Sequence, residues 1–141
     1  VAMPLLIGLI NFVLPQQLGA RDMAFPVLNQ VSLGLTATGL PVGSVGYVLT
    51  SRTSGFSAFP GGSSGNLCLA GSIGRYVGAT ARSASAAGAF SVTANLGALP
   101  QPLGPVAVQP GDTWYFQCWH RDVIIGIPTS NFSEGYAITF Q

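Results

Sequence analysis

The chain has a single histidine, and the residues around it are the clearest candidates for catalysis or metal binding. His120 and Asp122 stand two positions apart, and residues at that spacing on a β-strand point to the same face. They could serve as a base with its orienting carboxylate, or as two ligands of a metal ion. Either site needs further groups, and there is no second histidine to supply one. We therefore expect Arg121, Asp122 and Glu134 to form surface ion pairs or to anchor the loop 123–133.

Other catalytic signals are weak. The sequence has no lysine, so a glycine-rich loop of the phosphate-binding type is excluded. A glycosidase-type carboxylate pair would have to come from Asp22, Asp112, Asp122 and Glu134, and no pattern places two of these together. We expect no enzymatic activity, no cofactor and no metal ion.

Aromatic side chains are concentrated between Trp114 and Arg121. Strand alternation divides this segment into two faces: Trp114, Phe116, Cys118 and His120 on one, and Tyr115, Gln117, Trp119 and Arg121 on the other. If the first face belongs to the core, the second presents two aromatic rings between an amide and a guanidinium. That set would suit a sugar ring as a binding platform. The alternative is that both faces are buried.

Composition narrows the class of protein. The 141 residues are enough for one domain, and 48% of them are hydrophobic whereas 6% are charged, against roughly 25% charged in an average protein. This balance excludes intrinsic disorder, and five scattered arginines do not form a nucleic-acid-binding patch. The 19 glycines and 10 prolines argue against a helical bundle. With a net charge of +1, copies repel one another weakly, which favours self-association or an extracellular location.

Alternating apolar and polar residues, with turn signals about every ten positions, predict an all-β fold. We expect an antiparallel β-sandwich of seven or eight short strands over residues 27–141, preceded by an apolar extension over residues 1–26. Residues 51–66 are rich in serine and glycine and are expected to form a long loop. The expected core residues are Leu33, Leu35, Leu49, Phe90, Val92, Trp114, Phe116, Ile138 and Phe140.

The extension contains an uncharged apolar run that must be covered. Its apolar members are Leu5, Leu6, Ile7, Leu9, Ile10, Phe12, Val13 and Leu14. A transmembrane helix needs about 20 such residues, so we expect no transmembrane segment here. The run could add a strand to its own sheet, or it could pack on a neighbouring copy as an assembly segment.

Four segments carry a resemblance to a known family. They are Gly65–Tyr76, Pro110–Gln117, Trp119–Asp122 and Thr129–Gly135. Together they resemble a C-terminal module of large secreted proteins in planctomycetes and some other environmental bacteria, over about residues 31–141. The resemblance implies an extracellular, β-rich module, and the family has no established activity.

The two cysteines, Cys68 and Cys118, are candidates for a disulfide. In an oxidising extracellular setting, two cysteines in one small domain usually pair. A bridge closing about 50 residues would stabilise the fold by about 4 kcal/mol in the chain-entropy model. The alternative is two buried free thiols.

Two functions follow from these observations. The first is a structural subunit of an extracellular filament or surface coat, in which the apolar run passes from each copy to the next in a head-to-tail contact. The second is a secreted carbohydrate-binding or adhesive module, with glycans as partners. The arrangement of the N-terminal run, within its own chain or on a neighbour, distinguishes them.

Overall fold

The computed structural model describes residues 7–9, 32–77 and 81–141. Within these ranges the chain is built of antiparallel strands, with one short 3-10 turn at Pro60–Gly62. The strands are β1 (Ile7–Leu9), β2 (Ser32–Ala37), β3 (Val45–Ser51), β4 (Thr53–Ala58), β5 (Asn66–Ala70), β6 (Gly74–Arg75), β7 (Arg82–Ser83), β8 (Phe90–Asn95), β9 (Thr113–Ile124), β10 (Ile127–Phe132) and β11 (Tyr136–Thr139). The prediction of an all-β, antiparallel fold is confirmed, and the eight strands of four or more residues match the expected number.

Two sheets and a two-stranded ribbon make up the architecture. The first sheet has the order β1-β2-β8. The second has the order β10-β9-β3-β6, with β11 beside β9 and β7 beside β3. The ribbon consists of β4 and β5. The main core lies between the two sheets, because apolar residues from β2 and β8 cluster there with apolar residues from β3 and β9.

Strand alternation explains which residues form this core. In β8, residues at every second position are buried and the residues between them are exposed. Of the nine expected core residues, seven lie in the main core: Leu33, Leu35, Phe90, Val92, Trp114, Phe116 and Phe140. Ile138 is partly buried against the same core. Leu49 is buried as well, but in a second apolar cluster on the opposite face of the second sheet.

Strand β9 is the centre of the second sheet. It is twelve residues long, and one of its edges pairs with β3. Its other edge pairs with β11 near the start of the strand and with β10 near its end. Ser133, between β10 and β11, closes the gap, since its backbone N–H donates to Cys118 O and its hydroxyl accepts from Cys118 N, both at 2.8 Å.

Two segments expected to be loops contain strands. Strand β4 lies within 51–66, and β10 lies within 123–133. All six residues of β4 are exposed, so its sequence lacks the apolar alternation of a half-buried strand. In β10 a proline and three polar residues follow the first isoleucine, which hides the strand pattern in the same way.

Most of the N-terminal extension lies outside the described residues, including Leu5, Leu6, Ile10, Phe12, Val13 and Leu14. The described part, Ile7–Leu9, forms β1 and pairs with β2 of the same chain, with Ile7 opposite Ala37 and Leu9 opposite Leu35. Across the described ranges, no helix has the length and apolar character needed to cross a membrane.

Candidate ligand-binding groove

His120 is a core residue. Its side chain is fully buried, and Nδ1 lies 2.9 Å from the carbonyl oxygen of Arg121. Asp122 anchors the hairpin, because its carboxylate accepts from Val123 N and, across the strands, from Asn131 Nδ2. Arg121 lies over the Trp119 ring instead of pairing with Asp122. Within the described ranges, no group of three or more histidine, cysteine or acidic residues could hold a metal ion.

The disulfide expected between Cys68 and Cys118 is not formed, and both cysteines are free thiols. Cys118 is buried in the main core. Cys68 lies on the opposite side of β9, where its backbone N–H donates to Gln117 Oε1 at 2.9 Å. Neighbouring residues of a strand point to opposite faces, so the backbone of β9 separates the two thiols. Burial raises the pKa of the Cys118 thiol to about 12.

Gln117 does not belong to an exposed platform, which was one of the two arrangements considered for this face of the strand. Its side chain is fully buried beneath β5. Besides accepting from Cys68 N, it donates to Asn66 O at 2.9 Å and to Ser133 O at 2.7 Å. The amide therefore serves as the polar attachment of β5 to β9.

The four expected platform residues are divided by this attachment. Tyr115 lines a separate depression with Cys68 and Tyr136. Trp119 and Arg121 lie on the other side of Gln117 and remain together, with the guanidinium carbon of Arg121 at 5.4 Å from the Trp119 ring centroid. The structure thus keeps half of the expected platform and buries or removes the other half.

A groove of about 270 Å³ lies beside Trp119. It runs along the outer face of the second sheet, next to the segment that leads into β5. The residues that line it are Tyr47, Leu49, Pro60, Gly61, Leu67, Ile73, Arg75, Trp119 and Phe132. Leu49 and Phe132 are buried, whereas Tyr47, Leu67, Ile73 and Trp119 are partly exposed. The groove is therefore an opening in the second apolar cluster.

Strand register places three aromatic residues in one row across the groove. Tyr47 of β3 is opposite Trp119 of β9, and Trp119 is opposite Phe132 of β10. The rings of Tyr47 and Trp119 are stacked, with 4.9 Å between their centroids and 26° between their planes. The neighbouring row brings Arg75 of β6 opposite Leu49.

The charge around the groove is positive. Arg75 lines it and is exposed, and Arg121 covers the Trp119 ring. None of the described residues that line it is acidic. A ligand with an apolar face and an anionic group would complement this combination of rings and guanidinium groups.

Sequence reasoning identified Trp119 and Arg121 but missed Tyr47 and Arg75. The alternation of Val45, Tyr47 and Leu49 places these three on one face of a strand. That signal groups Tyr47 with Leu49, which was expected in the core, so alternation alone does not show that Tyr47 faces outward. Its pairing with Trp119 depends on strand order and register, which the sequence pattern does not specify.

One motif was overlooked. Gly61, Ser63 and Gly65 have the Gly-x-Ser-x-Gly spacing of a nucleophile elbow. An elbow requires a strand, a sharp turn and a helix, whereas this segment joins β4 to β5. The Ser63 hydroxyl is buried, donates to Ser130 O at 2.8 Å and accepts from Gly65 N at 3.2 Å. Ser63 therefore fixes the loop beside β10.

Comparisons with known proteins give only short matches. No family model and no solved structure matches the chain. A probable cytochrome c oxidase subunit 1 of Bradyrhizobium diazoefficiens is 53% identical over 62 residues, which is 43% of this chain and 9% of that protein. A cytochrome bo(3) ubiquinol oxidase subunit 1 of Buchnera aphidicola is 69% identical over 36 residues, or 26% of this chain and 6% of that protein. A quinol oxidase subunit 1 of Bacillus subtilis is 50% identical over 48 residues, or 34% and 7%. The chain thus spans less than a tenth of the length of each of these relatives.

Proposed function

We propose that this chain is an extracellular binding module that holds an acidic glycan in the groove beside Trp119. The observation that carries the proposal is the stacked pair of Tyr47 and Trp119, partly exposed beside a groove that has a guanidinium group at its rim. The C–H faces of a pyranose ring are apolar and pack on aromatic side chains. A few polar groups in a largely apolar site then fix the orientation of the ligand.

The two arginines support an anionic sugar over a neutral one. A guanidinium group forms parallel hydrogen bonds with a carboxylate or a sulfate group, and it is weakly hydrated. Arg75 lines the groove, and Arg121 lies over Trp119 in the aromatic row. None of the described lining residues is acidic. Uronic acids and sulfated sugars combine both features, an apolar ring face and an anionic group.

The test is binding to soluble polysaccharides, measured by affinity electrophoresis and calorimetry at low and high salt. Polygalacturonate and a sulfated glycan should bind, whereas a neutral glucan should bind more weakly. A hydrogen bond to a charged group is worth about 1.5–3 kcal/mol, so Arg75→Gln should lower the affinity about tenfold to hundredfold. Arg52→Gln, the same change of charge outside the groove, should leave the affinity unchanged.

Trp119→Ala should abolish binding. Tyr115→Ala is its matched control, because Tyr115 belongs to the same apolar cluster but does not line the groove. If neither acidic polysaccharide binds, or if both variants reduce binding equally, the groove is not a glycan site.

Self-assembly into a filament stays a second candidate. In its favour, β4 pairs only with β5 among the described residues, and all six of its residues are exposed. A strand edge of this kind can accept an extended segment from another copy. We rank it second because the described part of the N-terminal run pairs within its own chain.

A further inference from the structure

One end of the sandwich carries a group of exposed aliphatic side chains. Its members are Val42, Val45, Val123, Ile125 and Ile127. Three of them belong to the β9–β10 hairpin, and the other two belong to the loop before β3 and to the first residue of β3. The two parts meet at this end because Gly46 of β3 is opposite His120 of β9. A depression of about 410 Å³ lies between the two parts, with Leu40 and Pro41 on one side and Val123 and Ile125 on the other. We call this group the apolar tip.

The backbone at the centre of the apolar tip is strained. Ile124 pairs with Ile127, so the hairpin has a two-residue loop of Ile125 and Gly126, with φ values of 50° and 75°. Positive φ at both positions is the type I′ pattern, which strongly favours Asn-Gly. A β-branched residue at such a position is an outlier. The Ile125 side chain is 95% exposed, so packing within the chain does not compensate for the strain.

Positive charge flanks the apolar tip. Arg82 and Arg121 are both exposed. They lie at this end because Gly46 pairs with Arg82 on one edge of β3 and with His120, the neighbour of Arg121, on the other edge. The one acidic residue of this end in the described ranges, Asp122, is partly buried and accepts hydrogen bonds from Val123 and Asn131. Protruding aliphatic residues between basic side chains are complementary to an anionic lipid surface, where the side chains enter the acyl boundary and the arginines contact the headgroups.

We propose that the apolar tip docks on anionic lipid membranes, and that Ile125 is the residue that inserts. A protein partner fits less well. A stable protein interface buries about 800 Å² on each side, usually with aromatic residues at its centre. The exposed side chains of the apolar tip are five aliphatic ones, with no aromatic residue among them. The glycan groove lies on the outer face of the second sheet, and Arg121 is the residue that the two proposed sites share.

Cosedimentation with vesicles tests this proposal. The full chain should bind vesicles of phosphatidylcholine with 30% phosphatidylglycerol and should bind pure phosphatidylcholine at least tenfold more weakly. Ile125→Asn should lower binding to the anionic vesicles at least tenfold. The same substitution should raise the melting temperature, because asparagine adopts positive φ more readily. Loss of binding in a stabilised variant cannot be attributed to unfolding.

Leu103→Asn is the matched control. Leu103 is fully exposed. It lies in a turn that is held to the end of β3 by a hydrogen bond from Gln101 to Thr50 O, away from the start of that strand. Replacing Leu103 should therefore leave vesicle binding unchanged. Arg82→Gln should weaken binding to anionic vesicles only. The proposal is overturned if the full chain does not bind anionic vesicles or if Ile125→Asn binds as well as the unchanged chain. It is also overturned if sedimentation shows that the apolar tip joins two copies without binding lipid.

Discussion

Gln117 shows how one buried side chain determines which part of a sheet face stays open. Its amide makes three hydrogen bonds, to Asn66, Cys68 and Ser133. Gln117→Leu would keep the volume but leave two carbonyl groups and one N–H without these partners. A buried unpaired polar group costs about 1–3 kcal/mol, so we expect a loss of about 3 kcal/mol or more in unfolding free energy, measured by urea denaturation.

The control for this variant is Gln109→Leu. The Gln109 side chain is exposed, so its replacement should change the unfolding free energy by no more than about 0.5 kcal/mol. A loss of similar size in both variants would contradict the role of the Gln117 amide.

Thiol reactivity distinguishes the two cysteines. Cys68 is partly exposed, whereas Cys118 is buried and its pKa is raised to about 12. Because the thiolate is the reactive form, iodoacetamide at pH 8 should label Cys68 in the folded protein and leave Cys118 unlabelled. Mass spectrometry after denaturation without reductant should find two alkylatable thiols. A chain with no alkylatable thiol and a mass lower by two hydrogens would restore the disulfide hypothesis.

The same burial makes stability depend on alkaline pH. The Cys118 thiol ionises near its ordinary pKa of 9.0 in the unfolded chain but only near 12 in the folded chain. The unfolded state therefore loses its proton first, so the stabilising contribution is complete below about pH 9 and is lost as the pH rises toward 12. Cys118→Ala should flatten the decline in unfolding free energy between pH 9 and pH 11. Burial also raises the pKa of Tyr76, so the unfolding free energy of the variant should still decline somewhat over this pH range.

At the scale of elements, strands β9 and β4 differ in how well their backbone amides are protected from solvent. Strand β9 pairs along both edges and contributes four fully buried residues to its core-facing side. Strand β4 is exposed throughout and pairs with β5 alone among the described strands. Hydrogen exchange followed by NMR should therefore show the slowest amides in β9 and faster exchange in β4, because local opening exposes less apolar surface there. Equal protection of the two strands would contradict this order.

Apolar alternation made the main core predictable. In β8, and in β9 from Trp114 to His120, every second residue is buried, and this pattern identified Phe90, Val92, Trp114 and Phe116. The pattern fails for β4, because no residue of that strand is buried and its sequence therefore contains no alternation to detect.

The groove was only half predictable for a different reason. Trp119 and Arg121 are neighbours on one face of a single strand, so local spacing identifies them. Tyr47 and Arg75 reach the groove through the pairing of β3 with β9 and β6, which joins residues far apart in sequence. Alternation indicates the face of the sheet on which Gln117 lies. It does not indicate that another strand, β5, covers that face at this position.

At the scale of the whole molecule, the arrangement of the N-terminal run decides between a monomer and an assembly. Strand β1 occupies one edge of β2, and β8 occupies the other. If this pairing persists in solution, each copy satisfies its own sheet, and we expect the full chain to be monomeric in sedimentation velocity at high concentration. The filament hypothesis predicts large assemblies under the same conditions.

Deletion of residues 1–15 separates these outcomes. Removing β1 exposes the N–H and C=O groups along one edge of β2 at residues 35–37, and an unpaired edge invites contact with other chains. The shortened chain should therefore unfold at a lower temperature and show more self-association than the full chain. A segment that joins neighbouring copies would have the opposite effect, because its deletion would dissolve the filaments and leave the sandwich folded. Sedimentation of both chains, together with their thermal unfolding curves, measures the direction of the change.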